Sequence, residues 1–230
     1  MCTSILTNRN KTIAGFNLDI LDMEYRVTTN PKGVYIEIND AIEGWIALFG
    51  ANSRGEFVTM PTCWPYDDRS DPKNNETNII MLDIDLLLEK KTFIETKDIV
   101  TSSNISSFNG ITYQSQLSDR DGNVLQVIPG QGYKYYEKPK QMVMTNFSPF
   151  KMDKEKHPWM GLDRYELANR MLSEKDDDFN ENDCFEILKA VSQQICPTVV
   201  SMVYDVNNRI VYWCNNQNWA NINKYQLDLD

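Results

Sequence analysis

The sequence predicts an α+β fold built from layers of antiparallel sheet and helix. Two observations carry this prediction. Short strand-like segments separated by turn residues fill most of the first two-thirds of the 230-residue chain. Helical patterns occur in clusters instead of alternating one by one with strands, as an alternating parallel sheet would require. The length, and the lack of a linker or repeat in the sequence, favour a single domain, residues 1–230.

The predicted strands are apolar runs or alternate apolar with polar residues, and turn residues bound them. In order, they are residues 34–38, 44–49, 56–60, 111–117, 123–128, 141–145, 199–204 and 209–213. An Asp-Gly turn at 121–122 indicates a hairpin between the fourth and fifth of these. The last two, rich in Val, Ile and Tyr, form the clearest hairpin of the chain.

Helices are predicted where apolar residues recur at helical spacing. These segments are residues 78–90 with a continuation at 95–99, then 162–172 and 183–195. The acidic run at 174–178 between the last two indicates a solvated loop. Cys184 and Cys196, which bracket the last helix, are expected to be small buried apolar groups.

The composition disfavours several classes of partner. The formal charge is −10, from 23 Lys and Arg against 33 Asp and Glu, which would repel nucleic acid and anionic membranes. No apolar stretch approaches the roughly 18 residues of a spanning helix, and the opening residues lack the order of a secretory signal. Five widely spaced cysteines suit a reducing compartment. We therefore expect a cytoplasmic protein; the sequence leaves homo-oligomerisation open.

The single histidine, His157, limits the chemistry that the chain can perform. It lies in a segment that indicates a loop and is expected to be a solvated surface residue. No set of His and Cys has the spacing of a zinc site, so we expect no metal. The sequence also lacks a glycine-rich phosphate loop, and we expect no cofactor.

Cys2 offers a nucleophile that needs no histidine. Aminopeptidases remove an initiator methionine that precedes a small residue, which would leave Cys2 with a free α-amine. A model amine titrates near ~8 and a thiol near ~8.5, so this amine can take the thiol proton near neutral pH. On its own, a cysteine at position 2 would not indicate catalysis.

Further segments carry a resemblance to a known family. Cys2-Thr-Ser-Ile5 and Gly15-Phe-Asn-Leu-Asp19 are similar to the opening of the choloylglycine hydrolase family of N-terminal-nucleophile amidohydrolases. Met142-Val-Met-Thr-Asn146 resembles the family's strand that ends in Thr-Asn, and Asp163-Arg164 resembles its Asp-Arg pair. The run from Phe185 to the end strand near residue 224 resembles the family's C-terminus. The resemblance implies a four-layer αββα sandwich and hydrolysis of linear amides.

The resemblance also implies roles for individual residues. Cys2 would be the nucleophile, Asp19 would orient its α-amine, and Asn146 would donate to the oxyanion. Thr62, counted from a strand glycine, is the candidate for a second donor. Arg164 would lower the pKa of the thiol.

One functional position departs from the family pattern. Phe16 stands where members usually carry an arginine, so this site has one guanidinium beside the thiol instead of two. We expect a higher thiol pKa and slower acylation than in a complete member. Arg26 in the following strand is a candidate spatial substitute.

The expected substrate is a small N-acyl amide. Phe16, Asn17, Trp64 and Phe147 are expected to contact it, and their aromatic rings favour an apolar acyl group. Short or medium acyl amides, such as N-acyl amino acids and penicillin V-like molecules, rank above bile salts because the chain is short between Asn146 and Asp163. The alternatives are a degenerate member that binds an acyl ligand without turnover, an acyltransferase, and an unrelated acidic scaffold.

Overall fold

The computed structural model describes residues 1–73, 76–150 and 160–228. The first of two large sheets has, in spatial order, β14 (Gln141–Met144), β1 (Cys2–Asn8), β2 (Thr12–Asp19), β15 (Thr198–Asp205), β16 (Ile210–Asn215) and β17 (Asn223–Gln226). All neighbouring pairs in this sheet are antiparallel. The strand that begins with Cys2 therefore lies inside the sheet, between β14 and β2.

The second large sheet is also antiparallel. In spatial order it contains β13 (Gly132–Tyr136), β12 (Val124–Ile128), β11 (Ser115–Ser118), β6 (Phe57–Thr59), β5 (Gly44–Asn52), β4 (Gly33–Asp40) and β3 (Tyr25–Asn30). Two smaller ribbons pair β7 (Thr62–Cys63) with β10 (Thr112–Tyr113), and β8 (Thr77–Asn78) with β9 (Ile105–Ser106).

Helices cover the outer face of each sheet. They are α1 (Ile79–Leu87) and α2 (Phe93–Ser102) on the second sheet, and α3 (Leu162–Glu174) and α4 (Glu181–Ala190) on the first. A short 3-10 helix spans Asp68–Ser70. The order helix, sheet, sheet, helix is the predicted four-layer αββα sandwich, and the α+β prediction is confirmed.

The two sheets meet in an apolar core that contains a few polar pairs. Phe16 of β2 stacks on Phe49 of β5 with ring centroids 5.1 Å apart. The Tyr204 hydroxyl donates to the backbone oxygen of Asn52 at 3.2 Å. These contacts fix β2 and β15 against the second sheet. Because β2 pairs with β1, they also help to fix the position of Cys2.

The predicted continuation at 95–99 is helical, but it belongs to a separate helix, α2, and not to α1. Glu89 has a left-handed backbone with φ 60°, which ends the first helix. Thr92 then starts α2 with a capping box, in which its hydroxyl accepts from Glu95 N at 3.2 Å. The last helix also ends earlier than predicted, at Ala190 instead of residue 195.

Asp83 of α1 is a buried carboxyl without a cationic partner among the described residues. One oxygen accepts from the Ser115 hydroxyl, and the other has no hydrogen-bond partner in the described structure. Burial raises the pKa of Asp83 well above its ordinary value, against the opposing effect of the Ser115 hydrogen bond. The folded chain therefore favours the protonated form of Asp83.

We expect Asp83→Asn to raise the free energy of unfolding at pH 8 by about 1–3 kcal/mol and to change it little at pH 4. At pH 4, close to the ordinary pKa of 3.8, the unfolded chain is only partly ionised, and well below that pH the folded and unfolded chains both hold the proton. As the pH rises, only the unfolded chain loses it, so wild-type stability falls. Urea unfolding at both pH values measures this difference. Asp85→Asn is the matched control, because Asp85 pairs with Lys91 at 2.6 Å; an equal gain there would contradict the explanation.

Candidate active site

Cys2 begins β1 and its side chain lies in the apolar core between the sheets, with 5% of the residue exposed. Its backbone nitrogen, an amide because Met1 precedes it, donates to Asn146 Oδ1 at 2.9 Å. Burial raises the pKa of the Cys2 thiol to about 11, although the charges of the Met1 ammonium and Arg164 oppose this shift. With Met1 in place, the thiol is therefore protonated near neutral pH.

Asp19 ends β2 beside the N-terminus. The Met1 ammonium donates to the Asp19 backbone oxygen at 2.6 Å, and Asp19 N donates to Met1 O at 2.9 Å. Its fully buried carboxylate accepts from Thr198 Oγ1 at 2.6 Å and from Gln193 Nε2 at 2.5 Å. Burial raises the pKa of Asp19 to about 6, while Arg164 and these hydrogen bonds act in the opposite direction.

Asn146, which follows β14, has every polar group engaged. Its Oδ1 accepts from Cys2 N and from Arg164 Nη2 at 2.8 Å, and its Nδ2 donates to Thr62 O at 2.8 Å and to Thr62 Oγ1 at 3.0 Å. Both groups that contact Oδ1 are N–H donors, so this end of the amide must be the oxygen and the other end the nitrogen. The backbone is held as well, because Asn146 N donates to Met160 O and Asn146 O accepts from Trp64 N.

Arg164 reaches the site from the first turn of α3 and is 5% exposed. Its Nη1 donates to Cys2 O and Thr3 Oγ1, both at 2.7 Å, and lies 3.5 Å from Asp19 Oδ2. The cap residue Gly161 has φ 70°, and a Cβ built there would lie 2.3 Å from Arg164 Nη2. A glycine at this position therefore leaves room for the guanidinium that joins Cys2, Asp19 and Asn146.

Thr62 lies on the β7–β10 ribbon, opposite Tyr113. Its hydroxyl is 3.0 Å from Asn146 Nδ2, so the two candidate oxyanion donors are neighbours. The structure thus brings together Cys2, Asp19, Asn146, Arg164 and Thr62, five residues drawn from five separate parts of the sequence.

A cleft of about 440 Å³ lies beside the backbone of Asn146, and none of the five residues is among its described lining. Its lining includes Trp64, Tyr66, Gln131, Ser148 and Met160. Trp64, 36% exposed, is the one predicted substrate contact among the described lining residues. Trp64 and Met160 are also the two residues whose backbones bond to that of Asn146, so the cleft adjoins the candidate oxyanion site.

The other three predicted substrate contacts lie elsewhere. Phe16 is fully buried in the core between the sheets, and Phe147 is 3% exposed and packs edge-on against Tyr165. Asn17 donates to Leu188 O at 2.8 Å and accepts from Ser201 Oγ at 2.7 Å. The bond to Leu188 shows that Asn17 faces α4. Phe16 faces the other side of the sheet, because successive residues of a strand alternate between its two faces.

Arg26 does not replace the arginine that is missing at position 16. It forms an ion pair with Glu37, and its guanidinium carbon lies 4.3 Å from the centre of the Trp45 ring. An arginine at position 16 would itself be buried among apolar residues such as Phe49. In the described part of the chain, Arg164 is therefore the guanidinium that contacts the backbone of Cys2.

His157 falls outside the described residues. Within the parts of the chain that are described, no three or more His, Cys, Asp and Glu side chains cluster as a metal site would require. The helices described there are also too short or too polar to span a membrane.

Gln193 and Thr198 are contacts of Asp19 that the sequence patterns do not indicate. Both belong to the segment between α4 and the start of β15, where no motif marks them. The signal that could have found them is indirect: a buried carboxylate needs donors, and β15 pairs with β2 next to Asp19.

No protein-family profile matches the sequence, and neither does any characterised protein sequence. Solved structures do match. A conjugated bile acid hydrolase from Clostridium perfringens, solved as a mutant with its cysteine replaced by alanine, has a TM-score of 0.67 at 15% identity, covering 98% of this chain and 92% of its own. Penicillin V acylase from Agrobacterium tumefaciens has a TM-score of 0.67 at 13% identity, over 98% and 86%.

A third similar structure is the Caenorhabditis elegans ortholog of N-acylethanolamine-hydrolyzing acid amidase. Its TM-score is 0.62 at 18% identity, with 89% of this chain and 93% of that one covered. At these identities the similarity establishes the fold, which is the sandwich that the sequence resemblance implies.

Proposed function

We propose that this chain hydrolyses the linear amide bond of small N-acyl compounds through an N-terminal cysteine nucleophile, as a member of the choloylglycine hydrolase family. One observation carries the proposal. Asn146 connects Cys2 N, Arg164 and Thr62 through contacts of 2.8–3.0 Å in a buried network. The fold supports it, since the three similar structures bear the names of two amide hydrolases and an acylase.

The reaction begins once Met1 is removed. The amine of Cys2 takes the thiol proton, and the sulfur attacks the acyl carbon. The carbonyl oxygen becomes an oxyanion to which the Thr62 hydroxyl donates. Asn146 Nδ2 also donates to it, by exchanging one of its two bonds to Thr62 for a bond to the oxyanion. The proton passes to the leaving nitrogen, the C–N bond breaks, and the amine departs. Water then attacks the thioester, which returns the thiol and releases the carboxylic acid.

The charged groups serve to orient the amine and the thiol. Arg164 holds the Cys2 carbonyl and Asn146 Oδ1 and places a positive charge near the sulfur, which favours the thiolate. Asp19 is held by Thr198 and Gln193, and its backbone nitrogen bonds to the carbonyl of Met1, the residue whose removal creates the α-amine. An ionised Asp19 would keep that amine oriented toward the thiol.

The substrate would occupy the cleft beside Trp64. Its partly exposed indole and the neighbouring Tyr66 and Met160 suit an apolar group, while Gln131 and Ser148 offer polar contacts. A short or medium acyl chain fits a cleft of about 440 Å³. All five cysteines are free, which agrees with action in the cytoplasm on a small molecule.

One observation favours a second candidate, an acyl-binding protein without turnover. Phe16 occupies the position of the family's second arginine. It is buried in the core and packs against Phe49. A single guanidinium lowers the thiol pKa less than two would. This candidate predicts saturable binding of an acyl amide and no release of amine.

A panel of N-acyl amides tests the proposal. The chain that begins at Cys2 is incubated with N-acyl amino acids, penicillin V and conjugated bile salts, and amine release is measured together with intact mass. We expect release from the first two classes and a transient mass increase equal to the acyl group. The Cys2→Ala chain should show neither. Binding without release would support the second candidate, and activity that survives in Cys2→Ala would overturn the cysteine mechanism.

A further inference from the structure

Gln114 is a buried side chain that contacts the segments of both candidate oxyanion donors. It lies between β10 and β11 and is fully buried. Its Nε2 donates to Thr145 O at 2.7 Å and to Phe147 O at 3.3 Å. These carbonyls belong to the residues immediately before and after Asn146, so one amide group holds the backbone on both sides of it.

The backbone of Gln114 makes a matching contact on the Thr62 side. Gln114 N donates to Pro61 O at 2.9 Å, and Pro61 directly precedes Thr62. Tyr113, the residue before Gln114, pairs with Thr62 across the β7–β10 ribbon. Gln114 therefore fixes the chain next to Thr62 with its backbone and the chain around Asn146 with its side chain.

We propose that Gln114 is a positioning residue that sets the separation of Thr62 Oγ1 and Asn146 Nδ2, and so shapes the oxyanion site. The inference rests on the proposed amide hydrolysis. Oxyanion donors must be held in place before charge develops, since a displacement of about 1 Å can cost roughly 100-fold in rate. A side chain that bonds to both flanks of one donor and to the neighbour of the other is placed to prevent that displacement.

Simple filling of the core does not account for Gln114. A leucine or methionine fills similar volume without the cost of burying an amide. That cost is visible here, because Gln114 Oε1 is buried and has no hydrogen-bond partner in the described structure. The side chain thus leaves one of its polar atoms unsatisfied while its donor group holds the Asn146 segment.

Gln114→Met tests the proposal, because it keeps the length and removes the donor. We expect kcat for amine release to fall about 10- to 100-fold with little change in KM, since the lost support affects the transition state. The rate of Cys2 alkylation by iodoacetamide should stay within about twofold of wild type, because alkylation forms no oxyanion. A loss through general unfolding would instead expose Cys2 and change the alkylation rate.

Gln126→Met is the matched control. Gln126 is also fully buried and also has an unpartnered Oε1, but its Nε2 donates to Gln116 and not to the Asn146 segment. We expect this variant to keep kcat within about threefold of wild type, because the Gln126 amide donates to neither flank of Asn146. Equal losses in the two variants would overturn the positioning role.

Gln114→Glu keeps the test decisive if the methionine variant does not fold. An ionised carboxylate cannot donate to the two carbonyls, whereas a protonated one can donate to one of them. Relative to wild type, its activity should therefore recover partly as the pH falls. If the wild-type chain releases amine and the Gln114 variants release it equally fast, this inference alone is overturned. If the wild-type chain releases no amine, the proposed function and the inference are overturned together.

Discussion

A chain that begins at Cys2 is expected to hydrolyse an N-acyl amide about 10²–10⁴ times faster than a chain that retains Met1. With Met1 present, the nitrogen of Cys2 is an amide that donates to Asn146 Oδ1 at 2.9 Å and cannot accept a proton. Burial also raises the pKa of the Cys2 thiol to about 11. Removal of Met1 turns this nitrogen into an amine beside the thiol, which provides the missing base.

The measurement compares one preparation before and after treatment with a methionine aminopeptidase. Intact mass reports the loss of Met1, and amine release is followed in both samples. A Cys2→Ala chain passed through the same treatment should gain no activity. Equal rates before and after complete removal of Met1 would contradict the role of the α-amine.

Residue type, more than burial, separates the strands that the sequence patterns reveal from those that they miss. The predicted strand at 34–38 and the hairpin at 199–213 are found as β4, β15 and β16, and most other predicted strands are found as well. The strands β1 and β2 escape prediction by pattern, because each mixes small and polar residues with a single isoleucine, whereas the equally buried β15 is rich in valine. Cys2, the proposed nucleophile, therefore begins a strand that only the resemblance indicates.

Backbone geometry separates the site residues that the sequence locates from those that it does not. Cys2 and Asn146 lie close together because β1 pairs with β14. Each of them also belongs to a short sequence motif of its own, so the resemblance locates both. Phe16 and Asn17 belong to the motif that ends at Asp19. Their place in β2 buries Phe16 between the sheets and directs Asn17 toward α4. Gln114 carries no motif, because its contacts depend on how the β7–β10 ribbon and the end of β14 meet in space.

Arg164→Met is expected to lower kcat/KM by about 10²–10³-fold. Its guanidinium donates to Cys2 O, Thr3 Oγ1 and Asn146 Oδ1. The change therefore removes one of the two donors to Asn146 Oδ1 and the positive charge that contacts the Cys2 backbone. Arg164→Lys should recover only part of the loss, because one ammonium cannot reproduce the planar set of donors. Arg170→Met, an exposed arginine on the same helix, is the control and should leave kcat/KM unchanged.

The pH profile separates this role of Arg164 from a structural one. Burial raises the pKa of Asp19 to about 6, and the Arg164 charge acts against that rise, so its loss should move the pKa higher. If ionised Asp19 orients the α-amine, the acid limb of kcat/KM in Arg164→Met should move to higher pH.

A double variant separates catalysis from folding. Arg164→Met leaves the Asp19 carboxylate buried without its cation, which lowers the free energy of unfolding by about 3–5 kcal/mol. Arg164→Met combined with Asp19→Asn removes that uncompensated charge, so the double variant should unfold at a higher temperature than Arg164→Met and still be inactive. A stable double variant with near wild-type activity would contradict the assigned roles of both residues, because it would show that the amine and thiol of Cys2 need neither charge.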